Sequence, residues 1–179
     1  LSASQPCAFA HVGLCSLELA ATNYEAALEH CDAAGKNGVS SETTREARKA
    51  ALLALHRHDD LISDIRKLRQ KTPFDIELAA EEIRFTLLKT PETAAVKGLI
   101  DKFCQTALKD WKDSDKPKAR TYLEGIAACA LGDEKTFAGK MAVFPGALMR
   151  FQAAVCERNF KVAAESITPE APSDYQLIV

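Results

Sequence analysis

Cys7, His11 and Cys15 stand four residues apart in the stretch CAFAHVGLC. On a helix that spacing stacks all three on one face, and the residue types are those that bind zinc. A structural zinc site needs four tetrahedral nitrogen or sulfur ligands. Three such residues in succession span about 12 Å from first to last at about 1.5 Å rise per residue. They cannot converge on one ion, so the stretch predicts packing positions on a helix and no metal site.

The remaining histidines are His30, His56 and His58. In HRHDD (56–60), His56 and His58 lie beside Asp59 and Asp60, residue types suited to proton transfer or metal binding. The same composition suits a polar turn between paired helices, with Asp capping and His solvated, and that is the expected role. The alternative is a helical enzyme or regulatory domain with a polar pocket around His56–Asp60. Glu81-Glu82 has the look of helix-borne carboxylates, but the di-iron bundle pattern pairs them with Glu-x-x-His, which is missing. A solvated face is expected there. The sequence contains no Gly-rich phosphate loop, HExxH or GxSxG. No catalytic residue, cofactor-binding residue or cofactor is therefore assigned, and no enzymatic activity is expected.

One charge pattern points to binding. Arg45, Arg48, Leu52 and His56 follow a 3-4-4 spacing and share a face of a predicted helix. Such a basic stripe would suit an acidic segment of a partner; the alternative is a solvated helix face balanced by Glu42 and Glu46.

These residues need elements to hold them. The chain of 179 residues is 47% apolar, enough for one domain with a sizeable core. A net charge of -2 argues against a dedicated nucleic-acid binder, whose affinity rests on phosphate neutralisation. No apolar run approaches the roughly 20 residues that span a bilayer. The start LSASQPC shows no signal-peptide pattern and no initiator Met, and the tail PSDYQLIV ends without a capped element, which suggests a fragment of a longer chain. Six cysteines (Cys7, Cys15, Cys31, Cys104, Cys129, Cys156) are scattered without a CxxC pair. Free, buried thiols in a reducing compartment are expected, the cytoplasm first and the nucleus second.

Helical signals dominate. Segments are predicted at 7–20, from Tyr24 to near Gly35, at 42–57 behind Ser41, and at 61–71 after Asp59 and Asp60. Thr72-Pro73 and Thr90-Pro91 repeat one signature, a capping residue followed by proline in the first turn. They predict helices at 73–89 and 91–111. Further helices are expected at 117–131, 134–143, 147–157 and 159–167, with 168–179 as a tail or linker. The fold class is all-α.

The helices pair, and the pairs repeat. Residues 14–34 and 151–167 each place an apolar helix before a short polar turn, then Asn-aromatic and a small residue. Tyr24 and Phe160 lie 136 residues apart, four periods of 34. In this the chain resembles the tetratricopeptide repeat (TPR) family. Leu14 and Cys15 match the leucine and small residue of the first helix, Tyr24 the turn aromatic, and Ala27 and Ala34 the small residues of the second. Phe160 and Ala163 match in the last unit, where Phe151 replaces a small residue, and Gly125 with Gly132-Asp133 match in the fourth. Units at about 42–73 and 73–112 match in length and helix pairing.

The resemblance implies a right-handed superhelix of about five hairpins over residues 1–179, working as an interaction scaffold or adaptor. It also implies a protein or peptide partner held in a concave groove, and a subunit role in a larger complex. Arg45, Arg48, Leu52 and His56 would then line that groove. Ser16 and Leu52 stand where the carboxylate-clamp members carry Asn, so that subclass is not expected.

Overall fold

The structure, a computed structural model, describes residues 4–39, 41–109 and 111–144, with side chains from Cys7 onward. The described residues form eight helices and no strand: α1 (Ser4–Ala20), α2 (Tyr24–Lys36), α3 (Glu42–Ala54), α4 (His58–Lys71), α5 (Ile76–Lys89), α6 (Thr93–Thr106), α7 (Lys116–Ala130) and α8 (Glu134–Met141). The chain divides into two compact units with the boundary inside α4, between Asp64 and Ile65. The helices predicted at 147–157 and 159–167, the tail, and the matches at Phe151, Phe160 and Ala163 lie outside the described residues.

In the first unit α1 packs against α2 and α3, and α2 packs against α3. The three helices meet at Cys15, Cys31 and Ala47, all buried, with Leu19 beside them. Small side chains at these places let the backbones approach, as the reading of Cys15 expects. The approach is closer than that reading assumed. Cys15 and Cys31 form a disulfide with their Cα atoms 5.3 Å apart, inside the range a bridge requires. The expectation of six free thiols is thereby corrected. Cys7 and Cys104 are free, while Cys129 is disulfide-bonded as well. Cys7 is also exposed rather than packed.

Ala27, expected at a close-contact position, is fully buried. Ala27→Leu is expected to overpack this unit and cost about 1–3 kcal/mol. A thermal melt checks it, and an unchanged midpoint would show that the site has room.

Four helices stop in the same way. Thr22 (φ 62°), Gly38 (φ 81°), His56 (φ 55°) and Gly132 (φ 74°) are left-handed. The next N–H returns to the carbonyl five residues back: Asn23 to Glu18 at 2.9 Å, Val39 to Ala34 at 3.0 Å, Arg57 to Leu52 at 2.9 Å and Asp133 to Ala128 at 2.9 Å. This is why α3 ends at Ala54 rather than at the expected 57. His56 has already left the helix.

Helix starts follow side-chain caps. The Ser41 hydroxyl accepts from the Thr44 N–H at 3.1 Å, as predicted. Thr72 does not cap; its hydroxyl donates back to the Leu68 carbonyl at 3.3 Å, finishing α4. Asp75 caps instead, accepting from the N–H groups of Glu77 and Leu78. The helix expected from Pro73 therefore begins at Ile76, and the one expected from Pro91 begins at Thr93. Asp59 and Asp60 fall inside the first turn of α4, where negative charge suits the helix dipole. Helices α2, α4 and α6 begin 34 and 35 residues apart, and α3 and α5 begin 34 apart.

In the second unit α5 packs against α6 and α7, α6 against α7, and α7 against α8. Ile83, Phe103, Leu108, Leu123 and Phe137 fill its core. Gly125 is where α7 meets α8: a Cβ there would stand 2.2 Å from Met141 Cε and 3.3 Å from Lys140 Cβ. Glu82 departs from the expected solvated face, being only 2% exposed. One of its oxygens accepts from Arg66 Nε at 2.7 Å and the other pairs with Arg69. The Arg69 guanidinium also lies over the Phe103 ring, 5.3 Å from its centroid.

Candidate partner-binding surface

The four residues of the basic stripe have four different environments. Arg45 is exposed and pairs with Glu42 and Glu46 of its own helix. Arg48 reaches between helices, pairing with Asp32 of α2 and donating from Nε to Asp64 of α4 at 2.7 Å. Burial alone would lower the Arg48 guanidinium, but the hydrogen bond and charge of Asp64, with Asp32 and Asp60 nearby, carry it above its ordinary value. Leu52 is 1% exposed and belongs to the core. His56, exposed, occupies the left-handed turn after α3. The structure thus brings Arg48 to a structural clasp and Leu52 to the interior, and leaves Arg45 and His56 at the surface.

Of the stretch from His56 to Asp60, expected as a turn, only His56 and Arg57 lie between helices; His58, Asp59 and Asp60 already form the first turn of α4. The His56 and His58 rings meet edge to face with centroids 6.0 Å apart, and Arg57 Nε donates to Asp60 at 2.7 Å. His11 and His30 stand with their Nδ1 atoms 3.0 Å apart across α1 and α2. One ring must donate there and the other accept. Among the described residues, no three His, Cys, Asp or Glu side chains are grouped so as to hold a metal ion. No described helix is long and apolar enough to cross a membrane.

The two free thiols among the described residues differ in exposure. Burial raises the Cys104 thiol above its ordinary value, against the opposing charge of Arg120. Since the thiolate is the nucleophile, iodoacetamide at neutral pH should modify exposed Cys7 first and Cys104 well after it. Peptide mapping by mass spectrometry over a time course checks the order, and equal rates would contradict the burial of Cys104.

A surface that sequence spacing did not reveal lies in the second unit. A groove of about 550 Å³ runs between α6, α7 and α8. Val96, Ile100, Ala127, Ala128 and Leu131 give it an apolar floor, and Lys97, Arg120, Glu124 and Lys140 stand among its lining. Arg120 donates to Asp101 at 2.7 Å, a hydrogen bond that raises it above its ordinary value, and Lys140 pairs with Glu124. Three helices contribute to this lining, so periodicity along any one of them could not show it. Leu131, at 38% exposed, is the trace it leaves on the surface.

Comparison with known proteins finds no matching family model, no similar curated protein and no similar solved structure.

Proposed function

We propose that this chain is a protein–protein interaction scaffold or adaptor of stacked helical hairpins, similar to TPR proteins, which takes a segment of a partner on its surface. The observation that carries the reading is a recurring pattern of packing. In each unit a first helix meets its own partner and the next first helix (α1 with α2 and α3, α5 with α6 and α7); α2, α4 and α6, and likewise α3 and α5, begin 34 or 35 residues apart, while α1 to α3, α5 to α7 and α6 to α8 are spaced by 38, 40 and 41. Hairpins stacked in this way bury a continuous core and leave an extended surface for binding.

The groove of the second unit supports a partner with an apolar side. An apolar floor with a charged border is the usual composition of an interface centre and its rim, and an amphipathic helix is the segment that such grooves take. Arg45 adds an exposed cation on α3 for an acidic stretch. The compartment is better argued from the disulfide than from the thiols. A bridge such as Cys15–Cys31 forms and persists under oxidising conditions, and the premise of a reducing compartment, six free thiols, no longer stands.

The test is affinity capture from the native organism with two baits, the unaltered protein and Leu131→Asp. The expected result is a small set of proteins retained by the first and lost with the second, at unchanged helical content. Identical sets from both baits would remove the groove from the reading.

A further inference from the structure

A second cavity of the second unit has a different chemistry. It measures about 340 Å³, and three aromatic residues, Trp111, Tyr122 and Phe144, and two acidic ones, Glu77 and Asp115, are among those that line it. The Tyr122 and Phe144 rings stand edge to face, 6.2 Å between centroids and 81° between planes. The Tyr122 hydroxyl lies 2.9 Å and 3.1 Å from the two oxygens of Glu77, so it donates to that carboxylate. Asp115 precedes α7 without accepting a capping hydrogen bond from it. Its Oδ1 has two long contacts, 3.5 Å from the Ser114 hydroxyl and 3.6 Å from Lys118 Nζ.

Aromatic faces attract cations through the ring quadrupole, and carboxylates add direct Coulomb attraction. We propose that this cavity binds an organic cation, an alkylammonium or guanidinium group. The group could come from a lysine or arginine of a partner segment, or from a free small ammonium compound. The first source rests on the scaffold reading and the second does not. Lys118 is the local cation that an incoming one must displace. Its side chain is 67% exposed and its nearest acidic contact is the 3.6 Å one to Asp115, so it is a weak competitor.

Trp111 is the single tryptophan of the chain, so its fluorescence reads occupancy of the cavity directly. The protein is titrated with tetramethylammonium, with n-butylguanidinium, and with tert-butanol as a neutral control of similar size. Both cations are expected to give a saturable change and tert-butanol none. Glu77→Gln with Asp115→Asn should weaken cation binding about tenfold, a factor worth about 1.4 kcal/mol. The side-chain amide introduced at position 77 keeps a carbonyl oxygen that can still accept from the Tyr122 hydroxyl. Lys118→Gln should tighten cation binding. A response to tert-butanol equal to that of the cations, no saturable response to either cation, or an unchanged affinity in the double variant with intact helical content would each overturn the proposal. A short arginine-bearing peptide and its citrulline twin separate the sources. If the arginine peptide binds and the citrulline peptide does not, a partner side chain is the ligand. If only the small cations bind, the site stands and the scaffold reading loses this partner chemistry.

Discussion

Replacing Cys15 and Cys31 together by alanine is expected to cost about 3 kcal/mol, the loop-closure value for a bridge that spans about 15 residues. The two residues are 16 apart. Both are buried at the meeting point of α1, α2 and α3, so a small apolar replacement keeps the packing and isolates the covalent term. Urea denaturation of the double variant and of the parent, with and without reductant, checks it. The parent should lose stability on reduction, and the variant should show no such dependence on this bridge. If reduction leaves the parent's midpoint where it was, and thiol labelling shows Cys15 and Cys31 reactive, the bridge is absent in solution. The cytoplasm then regains its place as the expected compartment.

The second large effect concerns Glu82. Glu82→Ala removes a carboxylate that holds Arg66 and Arg69; Arg69, with 19% of its side chain exposed and its Nε already buried without an acceptor, then loses its remaining acidic partner. Breaking a buried pair costs about 3–5 kcal/mol when the surviving charge cannot reach water. Arg66 is 58% exposed and can rehydrate, which brings the expectation to about 2–4 kcal/mol. The companion variant is Glu82→Met with Arg69→Met, which leaves no stranded charge. It is expected to recover most of the loss, because apolar replacements of a buried pair are often neutral or better. Chemical denaturation of both variants decides between a pair that supports the fold and one that is merely tolerated. Equal losses in the two would place the cost in packing around Phe103 instead.

The helical class and the pairing of α1 with α2, α5 with α6 and α7 with α8 were legible because apolar periodicity and turn residues are local signals. So was Ser41, whose role needs only the three residues after it. Thr72 was read as a start because a capping type followed by proline is the usual opening of a helix. Asp75, three residues on, competes for the same role and wins with two N–H groups in place of none. The left-handed stops at Thr22 and His56 were invisible because the signal for such a turn is glycine, and neither position has it. Glu82 could not be distinguished from Glu81 by sequence, since what buries it is the pair of arginines on α4. The basic stripe failed as a free face for the same reason. Arg45, Arg48 and Leu52 do keep their spacing on α3, but His56 lies beyond its end, and Asp32 and Asp64 come from the neighbouring helices to pair with Arg48. The groove draws on three helices, and the aromatic cavity on α5, α7, the segment between α6 and α7 and the residues after α8, so no spacing within one element announces them.

The bridge between Cys15 and Cys31 also sets the covalent topology of the first unit. It closes a ring that runs out along the end of α1, around the turn at Ala21–Asn23 and back along the start of α2. A peptide bond cut anywhere within that ring leaves one connected molecule, because each piece keeps its half of the bridge. A protease that finds the turn would produce a nicked protein that still migrates as a single species until it is reduced. The α1 segment can therefore be severed from the chain without being released from it, so cleavage and dissociation within the first unit are separate events, the second requiring reduction of the bridge.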